Sequence, residues 1–434
     1  MSKISKKSGK GQVKPPPDIQ VDEREREDDI LALAISRKIC QDGQKESLSQ
    51  DDIAEWLEAF TQTKQHQSRI SKLIQRARKN GWLVSAIDWA AAGKQDSGYE
   101  QEVERRFFAH DALRASLKEL SPYKDKFQLH ILKGPDISCQ AAETIARLLA
   151  PASTIGITFG DSLRKVVDLF GKSPHDGKRR VALPDWPEKR VIPVLGDPVY
   201  LRSENAVDRQ VLSTNLAEDL ARYMGCSKIS TQFGMRGVPA YIAVNRYRPE
   251  GSITAERKRE MALEFLAEAP GYKGIYGRKG CIHSMDTLIT SVGVMHVEND
   301  KVDLRHSSTF QREMIAQSGE KPEVIHECVW GDIAGILIPK PNMSSEVESL
   351  VDELNAGWVG MERRHLKETC ERAISAGTAG VVALGNREEK SRLILAGIEK
   401  GLILNALLTS DAARKVESLL KGMEFDPAKK TRRR

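Results

Sequence analysis

The pattern of apolar positions is clearest toward the C-terminal end of the chain. Val381 to Leu384 is a run of β-branched and aliphatic residues set between Gly377-Thr-Ala-Gly380 and Gly385. A short apolar run bounded by glycines reads as a strand buried on both faces. Asn386 is placed to cap the helix that follows, with Glu388 and Glu389 near its positive N-terminal end. Leu393, Ile394, Ala396, Gly397 and Ile398 supply the apolar side of that helix, and Gly401 ends it. Leu402 to Leu408 reads as a second strand, after which Thr409 or Ser410 caps a last helix. Strand, helix, strand, helix with short links is the grammar of a parallel α/β sheet. The same alternation begins near Phe127. Gln128 to Leu132 predicts a strand, Ser138 to Ala150 a helix, and Thr154 to Phe159 a buried strand. That last strand turns through Gly160 into a helix carrying Val166, Val167, Leu169 and Phe170. Arg190 to Leu195 predicts a further strand, ending in Gly196 and Asp197, and Asn205 to Gly225 an amphipathic helix.

The N-terminal quarter has a different rhythm. Ile30, Leu31, Ala34, Ile35 and Ile39 fall on one side of a helix. A second helix starts after Ser49, with Asp52 three residues on, close to a capping box. In a third, Ile70, Leu73, Ile74 and Ala77 make an apolar face and Gly81 stops the helix. Arg69, Lys72, Arg76 and Lys79 lie on or beside its opposite face. From Phe60 to Trp82 there are six Lys or Arg and no acidic residue. Such a helix suits phosphates, with short polar side chains free to reach base edges. Residues 1–28 are too polar to offset ordering entropy and read as a disordered tail; residues 423–434 read as a basic tail.

Composition narrows the class without deciding it. A chain of 434 residues holds two or three domains and can bury a sizeable core. No stretch is long and apolar enough to span a bilayer, and the N-terminus lacks a signal-peptide core, so a cytoplasmic protein with no membrane partner is expected. Cysteines 40, 139, 226, 281, 328 and 370 lie far apart with no C-x-x-C pair, as core residues of a reducing compartment do; neither a metal nor a cofactor is expected. A net charge of +6 says less than the clustering of charge near the third helix.

These stretches resemble the SorC-type sugar-binding transcriptional regulators. Gln50, Ile53, Ala54 and Leu57 match the first helix of that family's helix-turn-helix. Ile70, Ser71, Lys72, Leu73, Ile74, Ala77, Arg78 and Gly81 match its second, across a longer turn. Gly160, Ser162 and Leu163 match its Gly-x-x-Trp-Gly-x-Thr-Leu loop, with Phe159 in place of the tryptophan. Gly196 sits where the family strand ends in Gly-Gly. Ser284 to Gly293 resembles its Asp-x-Ala-x-x-Gly-Ile-Gly segment, and Gly331-Asp332-Ile-Ala-Gly335 its Gly-Asp-Ile-x-Gly segment. Lys390 stands at the place of its pocket lysine, ahead of Leu408-Thr-Ser-Asp-Ala-Ala-Arg414.

The resemblance implies an α/β protein: an all-α helix-turn-helix domain, residues 29–90, and a Rossmann-like doubly wound α/β effector domain, residues 126–422, with a linker and bridging helix at 91–125. It is related in architecture to sugar-phosphate isomerases and deaminases. Expected DNA contacts are Gln67, Ser68, Arg69, Ser71, Lys72 and Arg76. Expected effector contacts are Gly160, Asp161, Ser162, Gly196, Asp197, Asp286 and Lys390. The βα turn at Gly160 presents unpaired N–H groups suited to oxygen-rich ligands. Asp161, a carboxylate where the family has neutral or basic residues, favours the hydroxyls of a free sugar or polyol over a phosphate. The function implied is regulation of operator binding by a sugar, polyol or sugar phosphate, without catalysis, in a homo-oligomer, a tetramer built from dimers. Two alternatives stand beside it: an isomerase or deaminase using Asp161, Asp286 and Lys390, and a regulator whose second domain binds no ligand.

Overall fold

The computed structural model describes residues 23–42, 50–61, 66–79, 110–133, 136–171, 181–198, 212–226, 235, 237–242, 255–299, 301–304 and 307–424. The chain forms two compact units, Met1–Asp111 and Ala112–Arg434.

Among its described residues the first unit contains three helices, α1 (Glu23–Asp42), α2 (Gln50–Thr61) and α3 (Gln67–Lys79). The apolar spacing of α3 closes their core: Ile70, Leu73, Ile74 and Ala77 pack with Leu31 and Ile35 of α1 and with Ile53 and Leu57 of α2. α1 begins at Glu23, so the expected tail of residues 1–28 is too long by the six residues Glu23 to Asp28. Asp28 and Asp29 there meet basic residues of α3, which gives this polar stretch a reason to be helical. Ser49, Gly81 and the linker near residues 90–99 lie outside the described residues.

The second unit is built on a mostly parallel sheet. The described strands are β1 (Gln128–Leu132), β2 (Thr154–Ile157), β3 (Arg190–Pro193), β4 (Thr287–Gly293), β5 (His296–Glu298), β6 (Lys301–Asp303), β7 (Val329–Ile333), β8 (Ile336–Pro339), β9 (Gly380–Gly385) and β10 (Asn405–Thr409). Parallel pairing gives the order β1-β10-β9-β4-β2-β3. β7 joins antiparallel to the end of β4 through Val292↔Ile333 and Gly293↔Asp332, and β8 pairs with β7. Strand residues alternate between two cores. Val381 and Ala383 face one, Val382 and Leu384 the other, so both faces of the sheet are covered, as the unbroken apolar runs require. The helix Asp111–Leu120 buries Leu113 and Leu117 with Phe127 in the first of these cores. Placed in a linker by its sequence, it belongs to the α/β unit by its packing.

One buried cation explains a helix end. Lys189 Nζ donates to the carbonyls of Leu149, Ala150 and Ala152 (2.9, 2.5 and 2.6 Å), satisfying the open C-terminus of the helix Ile137–Leu149.

Candidate functional site

A cavity of about 570 Å³ opens beyond the carboxyl ends of β2, β4 and β9. β3 extends the sheet on one side of β2, while β4, β9 and β10 extend it on the other. The crevice between β2 and β4 is thus the point where strand order reverses, the usual place for a ligand in an open α/β sheet. Phe159, Gly160, Asp161 and Ser162 come from the turn after β2, Ser291 to Met295 from the end of β4, and Asn386 to Lys390 from the turn after β9. The turn after β2 needs its glycine. Gly160 sits at φ +139°, a conformation closed to other residues, and a Cβ there would stand 3.1 Å from Ser291 Oγ.

Lys390 is half-buried at the cavity wall, immediately before the helix Ser391–Glu399. Its Nζ donates to Asn386 Oδ1 (2.9 Å), and Asn386 Nδ2 donates to Ser162 Oγ (3.2 Å), so three expected or neighbouring polar groups form one chain. Burial, then the Arg387 guanidinium, lowers the Lys390 ammonium from 10.5 to about 8, against the pull of Asp332 and Glu389. Asp332 lies fully buried behind the wall. It accepts from Ser308 Oγ (2.8 Å), Gln311 Nε2 (2.9 Å) and the Gly335 N–H (3.3 Å). Burial still raises it from 3.8 to about 6.

The remaining wall is basic and aromatic. Lys165, Lys340, Arg387 and Arg392 join Lys390, against Asp161 and Glu389. Lys340 Nζ stands 5.3 Å and Arg392 Cζ 4.9 Å from the centre of the Trp330 ring. Lys340 and the nearby His326 are both lowered, first by burial. Phe159 stacks on Phe310 at 4.0 Å, and Phe310 meets Trp358 edge-on. Such a wall attracts an anion; Phe159, Phe310 and Trp358 are buried behind it, and Trp330 is the half-exposed ring. Burial favours the neutral amine of Lys390 over its ammonium.

Of the expected effector residues, the fold brings together Gly160, Asp161, Ser162 and Lys390 at this cavity. Asp286 is not among them. It precedes β4, at the edge of the sheet where strands begin, and the cavity lies where they end. There its Oδ2 accepts from the Ser153 N–H (2.8 Å), close enough to Lys189 to feel its charge. Gly196 and Asp197 also lie off the cavity. The Asp197 N–H donates to the Val238 carbonyl (2.7 Å), and a Cβ on Gly196 would meet the carbonyl oxygens of Val238 and Pro239, so that loop is held by backbone packing. The sequence alone does not single out Lys165, Trp330, Lys340, Arg387 and Arg392. Three cations around a helix start, Arg387, Lys390 and Arg392, oppose the helix dipole and were a usable signal.

On α3 the expected DNA contacts separate into two groups. Arg76 Nε pairs with Asp29 Oδ1 at 2.6 Å and Arg69 Nη2 with Asp28 Oδ1 at 3.4 Å, while Gln67 Nε2 donates to Asp51 Oδ1 (2.6 Å). These three hold α3 to its neighbours. Ser68 and Lys72 are exposed, and Ser71 is half-buried.

No protein-family model matches the chain, and no curated protein matches it. Solved structures do. The full-length sorbitol operon regulator SorC from Klebsiella pneumoniae is similar over 89% of this chain and 99% of its own, at 15% identity and a TM-score of 0.48. A DeoR family transcriptional regulator from Listeria monocytogenes is similar over 64% of this chain and 85% of its own, at 19% identity and a TM-score of 0.42. A sugar-binding domain of a transcriptional repressor from Vibrio fischeri is similar over 70% and 99%, at 14% identity and a TM-score of 0.43. The structures this chain resembles are transcriptional regulators. No described helix is long and apolar enough to cross a membrane.

Proposed function

We propose that this chain is a DNA-binding transcriptional regulator whose operator affinity is set by a sugar-like effector carrying an anionic group. The three-helix unit binds DNA through α3, and the strand-end cavity takes the effector. The observation that carries this reading is the cavity's charge. Five Lys and Arg side chains surround two carboxylates, with the Ser162–Asn386–Lys390 chain at one wall. That balance turns the earlier preference around: Asp161 is outnumbered, and a sugar phosphate suits the wall better than a free sugar or polyol. The regulator acts in the cytoplasm as a homo-oligomer, a tetramer built from dimers, so that paired α3 helices meet two half-sites. Effector and operator are then linked reciprocally: each changes the affinity for the other by the same factor. An isomerase or deaminase reading needs an acid/base pair at the sugar carbon. It loses Asp286, which stands at the far edge of the sheet.

The test is selection of genomic DNA fragments by the purified protein, repeated with a panel of sugars, polyols and sugar phosphates. Enrichment of a fragment with paired half-sites, altered by a sugar phosphate in wild type but not in Lys390→Met, is the expected result. Failure to enrich any fragment at moderate salt sinks the regulator reading.

A further inference from the structure

We propose that Gln75 is a base-reading residue, and that Ser68, Lys72 and Gln75 form the DNA-facing stripe of α3 while Arg69 and Arg76 serve to hold α1. This rests on the DNA-binding reading and goes beyond it by assigning the reading positions. At about 100° per residue, Ser68, Lys72 and Gln75 fall within an arc of roughly 60°. That arc lies opposite the buried Ile70, Leu73, Ile74 and Ala77, and all three side chains are exposed. Arg69 and Arg76, seven residues apart, share a flank of the helix, and both point to acidic residues of α1. For Arg76 to reach a base it must leave Asp29, whose side chain is only 7% exposed and would lose its guanidinium partner. Gln67 is likewise engaged, with Asp51.

The chemistry of the stripe fits a major groove. A glutamine amide donates and accepts side by side, matching N6 and N7 of adenine, whereas a lysine is a point charge suited to phosphate. Ser68, in the first turn of α3, offers a short hydroxyl to either. No carboxylate lies on this stripe.

The experiment selects bound sequences from a random DNA pool with full-length wild type, Gln75→Ala, Lys72→Ala and Arg76→Ala, each checked for fold by circular dichroism. Gln75 is exposed, so its alanine variant keeps the fold. In Gln75→Ala we expect one adenine–thymine position in each half-site to lose its preference, by about 5- to 150-fold, while the other positions keep theirs. Lys72→Ala retains the preferred sequence but lowers the slope of log affinity against log salt by about 1. Arg76→Ala melts earlier yet, where folded, selects the same sequence. The proposal is overturned if Gln75→Ala keeps every preference, or if folded Arg76→Ala loses one. Should wild type enrich no sequence at all, the DNA-binding reading itself falls, which is a separate outcome.

Discussion

Replacing Lys390 by methionine should stabilise the α/β unit while abolishing effector binding. Burial brings the ammonium from 10.5 down to about 8. At 1.36 kcal/mol for each tenfold change, the charged form is disfavoured by about 3 kcal/mol in the folded protein relative to the unfolded chain. Methionine keeps the stem's apolar bulk and removes that charge. Against this, Asn386 loses a donor, worth about 1 kcal/mol, and Asp332 loses a nearby positive charge. A net gain of about 1–2 kcal/mol at pH 7 remains. The sign of its pH dependence follows from the direction of the shift. Between about 8 and 10.5 the unfolded lysine holds a proton that the folded one has released, so wild-type stability rises with pH through that window. The advantage of Lys390→Met therefore shrinks from pH 7 to pH 10. Urea unfolding of both proteins across this range, read as midpoint shifts at constant slope, measures it. A variant less stable than wild type at pH 7, or an advantage that does not change with pH, refutes the idea that Lys390 is a desolvated cation.

Other perturbations act on different contacts. Gly160→Ala forces a side chain to φ +139° against Ser291 Oγ; it should cost about 1–3 kcal/mol in unfolding and weaken effector binding in calorimetry. Arg76→Ala should destabilise the three-helix unit by about 1–3 kcal/mol, seen as an earlier thermal transition, because the buried Asp29 carboxylate loses its guanidinium contact. Asp332, raised from 3.8 to about 6, holds a proton in the folded state that the unfolded chain has lost. Its contribution to stability is therefore present below about pH 4 and disappears as pH rises through 6. Asp332→Asn does not titrate, so its stability relative to wild type should climb by up to about 3 kcal/mol between pH 4 and 6.5 in urea titrations.

The β9–helix–β10 unit was legible because its period and punctuation agree. Val381 to Leu384 lies inside the strand Gly380–Gly385, and Gly401 follows the helix Ser391–Glu399. The sequence places Asn386 to cap a helix, but a 3₁₀ turn at Glu388–Lys390 intervenes and its side chain instead meets Ser162 and Lys390. Asp286 falls away from the cavity for a directional reason. A motif locates a strand, whereas only the parallel pairing of β4 with β2 and β9 decides which of its ends faces the ligand. Trp330 lies in β7 and Lys340 directly follows β8, in an antiparallel hairpin that joins β4 through Val292 and Gly293, a long-range pairing with no local signature. On α3, the helix period predicted the buried face correctly, but which basic residues were already engaged depended on α1.

The chain from Lys390 through Asn386 to Ser162 also has a polarity. An ammonium can only donate, so the amide oxygen of Asn386 must face it and the amide NH₂ must turn to Ser162. The serine oxygen, having accepted, is left to point its own hydrogen elsewhere, and Ser162 lines the cavity. A charge on Lys390 is thereby relayed two side chains away as the orientation of one hydroxyl. While the lysine is protonated, Ser162 offers a hydrogen and welcomes acceptors such as phosphoryl oxygens. When the proton leaves, the amine can accept as well as donate, so the amide can turn over and the serine can present its lone pairs instead.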